Sequence, residues 1–125
     1  MTSTSRVCAV VITFNRKDLL VEGLLALLRQ THPVAQTLVI DNASTDGTED
    51  LLRERGLLSR EDVEYVRLER NLGAAGGFAR GIELCRALDM DWIWIMDDDA
   101  QPQPEALATL LASRAPPAAA GHRRP

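Results

Sequence analysis

The sequence predicts an α/β fold, a mainly parallel sheet covered by helices on both faces in an α/β/α sandwich. Two observations carry that prediction. Short apolar runs rich in β-branched residues alternate along the chain with segments whose apolar residues recur at helical spacing, the pattern of right-handed βαβ units. Each apolar run is also followed by a cluster of polar residues, and in open parallel sheets ligands bind along the carboxyl edge where such clusters gather.

Residues 7–13 form a continuous apolar run, expected as a strand buried on both faces. Asn15 can cap the next helix, over 17–30, where Leu20, Leu24, Leu27 and Leu28 repeat at helical spacing before Pro33 stops the chain. A second buried strand over 37–40 ends in the turn-rich stretch Asp41-Asn42-Ala43-Ser44-Thr45-Asp46-Gly47. A short helix follows over 49–55, acidic at its start and with Gly56 after its end, as the helix dipole favours. Residues 63–68 alternate apolar and charged side chains, giving a third, more exposed strand. Residues 71–77 are rich in glycine and read as a flexible loop leading into a helix over 78–88. Residues 92–96 make a wholly apolar fourth strand, closed by Asp97-Asp98-Asp99, and a last helix spans 105–113. The domain is therefore expected over 1–113. Residues 114–125, with almost no large apolar side chain, form a Pro/Ala/Arg tail expected to be disordered.

The length of 125 residues suits one domain with a single core. The formal charge is -4 although Arg114, Arg123 and Arg124 lie near the end, so the body is more acidic still. That excludes nucleic acid as the main partner, since phosphate backbones are held by clustered Lys and Arg. A diphosphate remains possible if a divalent cation stands between the two acidic partners. The two cysteines, Cys8 and Cys85, lack metal-ligand spacing and are expected to be unpaired, buried thiols in a reducing compartment. The apolar run after Arg6 is too short for a secretory segment or a membrane span. The expected location is the cytoplasm, either free or at the inner face of the cell membrane.

Four segments carry chemistry. Asp97 and Asp99 can face one space while Asp98 faces away, because side chains alternate along an extended chain. Two carboxylates sharing a space repel unless a cation or protons neutralise them, and Mg2+ or Mn2+ suits carboxylate and phosphate oxygens. The alternative is a solvated acidic turn that caps the next helix; the buried strand before it favours the metal. Asp41 at a strand end can accept hydrogen bonds from a base or ribose, while the stretch after it equally suits a turn and helix cap. Gly73, Gly76 and Gly77 allow close backbone approach to a ligand or simply a flexible connection. They form neither a dinucleotide-binding fingerprint nor a P-loop. Arg80 and Arg16 can each pair with a phosphate or with a surface carboxylate. Taken alone, Asn15 is better read as a cap than as a ligand contact, and Trp92 and Trp94 as core residues on one face of the last strand. His32 and His122 receive no role.

The segments Val10-Val11-Ile12-Thr13-Phe14-Asn15-Arg16, Val39-Ile40-Asp41-Asn42 with Ser44, Asp46, Gly47 and Thr48, Asn71-Leu72-Gly73, and Asp97-Asp98-Asp99 resemble the successive motifs of family 2 glycosyltransferases with the Rossmann-like GT-A fold. Their order matches over roughly the first hundred residues, which is far more specific than one motif. The run from Asn71 to Gly81 followed by Asp-Asp-Asp-Ala is similar to bacterial members that transfer galactofuranose or rhamnose to cell-envelope glycans. The resemblance implies that Thr13, Asn15 and Arg16 lie by the nucleotide, Asp41 binds the uracil or thymine ring and Asp46 supports that pocket. It places Asn71, Gly73 and Arg80 along the ribose and diphosphate. Asp97 and Asp99 match the D-x-D motif, with Asp99 the leading metal ligand and Asp97 touching the ribose or sharing the metal, and Asp98 between them is counted with the nucleotide-sugar-binding residues. The implied reaction is a metal-dependent inverting transfer from a UDP- or dTDP-sugar to a glycan or lipid-linked glycan acceptor.

Members of that family continue beyond the Asp triplet into a half that supplies the catalytic base, and no residue here matches that base. The expectation is a donor-binding half cut short by truncation, a frameshift or design. A competing reading is a non-catalytic nucleotide-binding or scaffold module. A phosphoacceptor receiver domain fares worse, because it needs a lysine near its aspartate and Lys17 is the sole lysine. If further strands normally follow, the last strand leaves apolar surface open, and the chain is expected to be marginally stable or to self-associate through that sheet edge.

Overall fold

The computed structural model describes residues 5–113; the expected tail over 114–125 lies outside the described residues. Four parallel strands, β1 (Val7–Thr13), β2 (Gln36–Asp41), β3 (Val63–Arg67) and β4 (Trp92–Asp97), form one sheet in the order β3-β2-β1-β4. Helices α1 (Lys17–Leu28), α2 (Thr48–Glu54), α3 (Gly73–Arg86) and α4 (Ala106–Ala112) make the connections and the last element. Register brings the strand ends level: Thr13 pairs with Asp41, Asp41 with Arg67, and Ile12 with Asp97.

β1 is buried along its whole length because it lies inside the sheet with helices on both sides. Val7, Ala9 and Val11 pack with Leu20, Leu24 and Leu27 of α1, Leu52 of α2 and Leu107 and Leu111 of α4. Cys8, Val10 and Ile12 point the other way and pack with Leu38, Ile40 and Cys85. This alternation is the period of two expected of a strand. The valine and isoleucine side chains among these each contribute about 1.5–3 kcal/mol when fully buried, so β1 supports both layers at once.

Three sequence expectations are corrected. The glycine-rich stretch from Gly73 is the first turns of α3 rather than a loop before it. Glycine and alanine cover little there, and the helix gains by lying close to the sheet. α1 ends at Leu28 and not at residue 30, because Gln30 serves α4 instead. Its Oε1 accepts the Leu107 N–H at 3.0 Å, and its Nε2 donates to the Gln103 carbonyl at 2.8 Å. A helix without its own side-chain cap is thereby capped from across the fold. Cys8 and Cys85 are not free thiols. Both are fully buried where α3 crosses β1, with Cα atoms 6.4 Å apart, and their sulfurs form a disulfide.

β4 is the least buried strand of the sheet's β1 side. Trp92 and Trp94 are half-buried against the α1 cluster and Ile95 is exposed, because β1 is the neighbour of β4 on one side only. No helix among the described residues is long and apolar enough to cross a membrane.

Candidate functional site

A groove of about 440 Å³ opens at the carboxyl edge of the sheet. It is lined by Ile12 and Thr13 at the end of β1, Phe14 and Arg16 just after it, Asn42 after β2, Asn71, Gly73 and Ala74 around the start of α3, and Asp97 at the end of β4 with Asp98 and Asp99 after it. The parallel register explains why segments so distant in sequence meet: every strand delivers its carboxyl end to the same edge.

The acidic turn has two kinds of carboxylate. Asp97 and Asp99 are exposed, whereas Asp98 is buried. Asp98 Oδ2 accepts a hydrogen bond from the Thr13 hydroxyl at 2.9 Å. Arg16 Nη1 lies 3.6 Å from Asp98 Oδ1 and 3.6 Å from Asp99 Oδ2. Burial raises the Asp98 carboxyl above the usual carboxylate range, against the opposing pull of the Thr13 hydroxyl and the Arg16 charge. α1 approaches this turn backbone to backbone at Gly23, where a Cβ would stand 2.8 Å from the Ala100 carbonyl oxygen and 3.0 Å from that of Asp98. A side chain there would push the acidic turn away from α1.

The loop after β1 is tied to the loop after β2. Asn15 adopts a left-handed conformation, with φ of 51°; its backbone N–H donates to Ser44 Oγ at 2.8 Å and its Oδ1 accepts the Thr45 N–H at 2.7 Å. Asn15 is thus a fastener between loops, while Arg16 takes the helix-cap position. The open Lys17 N–H at the start of α1 is met by Asp46 Oδ2 at 3.2 Å, and Asp46 Oδ1 accepts from the Thr48 hydroxyl. Burial works to raise Asp46, but the Thr48 hydroxyl and the Lys17 amide outweigh it and hold the carboxyl below its ordinary value. A depressed folded-state pKa contributes stability above the unfolded value that is lost as pH falls through the folded one. Asp46→Asn is therefore expected to lose less stability than the native chain between about pH 5 and pH 3, as measured by thermal melts across that window.

Asp41 is fully buried and lies outside the lining of the groove. Oδ1 accepts the Ser44 N–H at 2.9 Å, Oδ2 accepts the Tyr65 hydroxyl, and Arg67 Nη1 stands 3.6 Å away. Burial, then the Asp41 carboxylate, pushes the Tyr65 phenol well up. Arg80 takes the surface alternative and pairs with Glu83 at 2.9 Å, three residues along α3. Asn71 Oδ1 accepts the Gly73 N–H at 2.7 Å, and Gly73 begins α3 with φ of 75°, which its missing Cβ permits.

The structure thus gathers Thr13, Arg16, Asn71, Gly73, Asp97, Asp98 and Asp99 around one groove and places Asn15, Asp41, Asp46 and Arg80 outside its lining. It adds Asn42, to which sequence reasoning gave no role of its own. Asn42 Oδ1 accepts the Leu72 N–H at 3.2 Å and Nδ2 donates to the Gly73 carbonyl at 3.1 Å, fixing the entry to α3. A buried amide directly after a strand is the signal that could have shown this. Phe14, exposed at the rim, is also added.

Among the described residues no group of three or more His, Cys, Asp or Glu side chains converges on a metal position. The donor set nevertheless fits a hard cation shared with a ligand: two exposed carboxylates, from Asp97 and Asp99, border the groove, and Mg2+ or Mn2+ commonly combines one or two carboxylates with phosphate oxygens. The α3 N-terminus at Gly73 and Ala74 borders the same groove and favours an anion there.

Similarity to known proteins bears on the family and the fold. The chain is 40% identical over 113 residues to the galactofuranosyltransferase GlfT1 of Mycolicibacterium smegmatis, covering 90% of this chain and 36% of that protein. It is 30% identical over 96 residues to the teichuronic acid biosynthesis glycosyltransferase TuaG of Bacillus subtilis, described as putative, covering 73% and 38%. The chain thus spans little more than a third of the length of these relatives. Among solved structures it is similar to the mannosyltransferase PcManGT of Pyrobaculum calidifontis in complex with GDP-Man and Mn2+. That match has a TM-score of 0.79 and 29% identity, and covers 93% of this chain and 34% of that one. TarS of S. aureus in complex with UDP matches with a TM-score of 0.68 at 25% identity, covering 86% and 31%. The family model described as Glycosyl transferase family 2 matches residues 8–120, and the chain, with its GT-A sheet and carboxyl-edge groove, belongs to that family.

Proposed function

We propose that this chain is the nucleotide-sugar-binding part of a metal-dependent inverting glycosyltransferase that extends a cell-envelope glycan. The observation that carries the reading is the pairing of exposed Asp97 and Asp99 with the α3 N-terminus across one groove. A diphosphate there would meet the helix end on one side and, through a cation, the carboxylates on the other. The GDP-Man and Mn2+ held by PcManGT and the UDP held by TarS support the ligand class, and the resemblance to TuaG, named for teichuronic acid biosynthesis, supports a glycan acceptor.

In this reading Asp99 and Asp97 hold Mn2+ or Mg2+ against the diphosphate. The bound cation supplies Lewis-acid stabilisation of the charge that develops on the leaving diphosphate. Asp98 does not compete for it, because its carboxylate is buried on Thr13 and keeps the turn in place. Asn71 and Asn42 hold the start of α3 by taking the Gly73 and Leu72 amides and the Gly73 carbonyl. No residue of this chain is assigned as the base that deprotonates the acceptor hydroxyl.

Calorimetric titration of UDP and dTDP, with and without Mn2+, tests the reading. UDP or dTDP is expected to bind only with Mn2+, and Asp99→Ala to weaken that binding on the order of a hundredfold, about 2.7 kcal/mol. Binding that ignores Mn2+, or that survives Asp99→Ala unchanged in a folded chain, overturns it.

A further inference from the structure

We propose that Arg16 is the resident counter-ion of the acidic turn and competes with the divalent cation for Asp99, so that metal and nucleotide diphosphate bind as a coupled pair. The inference rests on the donor-site reading above. One guanidinium nitrogen stands equally far, 3.6 Å, from a carboxylate oxygen of Asp98 and one of Asp99. The two acids differ in what else they have. Asp98 is 7% exposed and keeps the Thr13 hydroxyl whether or not Arg16 stays, whereas Asp99 is 56% exposed and Arg16 is its partner in the structure.

The backbone that carries Arg16 is fixed. Asn15 before it is held by Ser44 and Thr45 of the next loop, and the Arg16 carbonyl accepts the Leu20 N–H at 2.9 Å to begin α1. The side chain is 54% exposed, and from that fixed base its guanidinium reaches both acids. A cation coordinated by Asp99 would sit within about 2–2.6 Å of its carboxylate oxygens, in the space that the guanidinium now neutralises, and two positive charges there repel. Metal alone therefore has to displace Arg16. A diphosphate arriving with the metal offers the guanidinium a replacement anion, a partner that its planar fork suits. Arg16 thus disfavours metal without nucleotide and favours the two together, a coupling of the kind that linkage makes reciprocal.

Binding of Mn2+ alone to the whole chain, followed by the electron paramagnetic resonance signal of the free ion at low salt, tests this without any transfer reaction. Arg16→Met keeps most of the stem and removes the charge; it is expected to bind Mn2+ about fivefold tighter or more. Arg16→Lys keeps the charge and is expected to stay near the native affinity, and Asp99→Ala added to Arg16→Met is expected to abolish the gain. Thermal melts confirm folding of each variant, which the exposure of Arg16 favours. Equal, weaker or absent Mn2+ binding by Arg16→Met overturns the proposal. If the native chain binds UDP with Mn2+ but Arg16→Met shows no gain, the competition fails and the donor site stands. If Arg16→Met gains Mn2+ affinity but no chain binds a nucleotide, the donor reading fails and the coupling to a diphosphate fails with it, while the competition between Arg16 and the metal stands.

Discussion

Replacing Gly81 by leucine is expected to lower the unfolding free energy by about 3 kcal/mol or more, read as a fall in the denaturant midpoint of the native chain. Gly81 sits in the middle of α3 with its Cα turned to the sheet, where a Cβ would overlap Val10 and stand 3.2 Å from Ile40. Val10 and Ile40 are fully buried in the two central strands, so neither has free space to move into. Helix propensity points the other way, because alanine in a helix interior is favoured over glycine by about 1 kcal/mol. The alanine variant therefore decides which effect wins. We expect Gly81→Ala to destabilise by about 1–2 kcal/mol, overpacking exceeding propensity, and Gly81→Leu to extend the loss. A stabilised Gly81→Ala would show that α3 moves off the sheet easily. It would also weaken the claim that the entry to α3, and with it the groove, is held rigidly.

Gly81 also illustrates what the sequence could and could not disclose. The strands are legible because β1 and β2 are uninterrupted apolar runs bounded by turn residues, and the parallel order follows from their alternation with helices. The polar residues at the strand ends are legible for the same reason, and they mark the carboxyl edge of the sheet as the side where the groove opens. The start of α3 is not legible. Glycine-rich sequence signals a loop by intrinsic preference, and only the approach of Gly77 to Ile12 and Asn42 shows that a small residue is required there by proximity to the sheet edge. The caps escape for a related reason: Gln30 caps α4 and Asp46 meets the start of α1 from remote segments, and no local pattern encodes such partnerships. The disulfide is hidden because Cys8 and Cys85 are separated by 77 residues and meet only where a strand face and a helix face are pressed together. Arg16 was legible as a cation in search of an anion, but its choice of Asp98 and Asp99 depends on the register that sets β4 beside β1.

Asp41→Ala is expected to destabilise the chain by about 2–4 kcal/mol, measured by equilibrium denaturation. The carboxylate is fully buried and holds three groups together: the Ser44 amide, the Tyr65 hydroxyl and the Arg67 guanidinium. Removing it leaves the Ser44 amide without its acceptor in a buried turn and the Tyr65 hydroxyl without its partner, and an unmet buried polar group costs about 1–3 kcal/mol. Tyr65→Phe alone should cost less, because Asp41 keeps Ser44 and Arg67, and the two changes together should cost less than their sum since both remove one hydrogen bond. A spectroscopic signature separates this network from a loss of packing. Burial is the larger cause of the raised Tyr65 phenol, with the hydrogen bond to Asp41 next and the Asp41 charge after it, so the phenol in Asp41→Ala should ionise at lower pH than in the native chain, seen in the ultraviolet absorbance of phenolate. Asp41→Asn, which preserves shape, then divides scaffold from ligand contact. If it retains most of the stability yet weakens UDP binding, Asp41 reaches the base as the family resemblance implies. If it loses stability while UDP binding in the folded fraction is unchanged, Asp41 serves the fold by tying β2, β3 and the loop that carries Ser44 into one support beneath the groove.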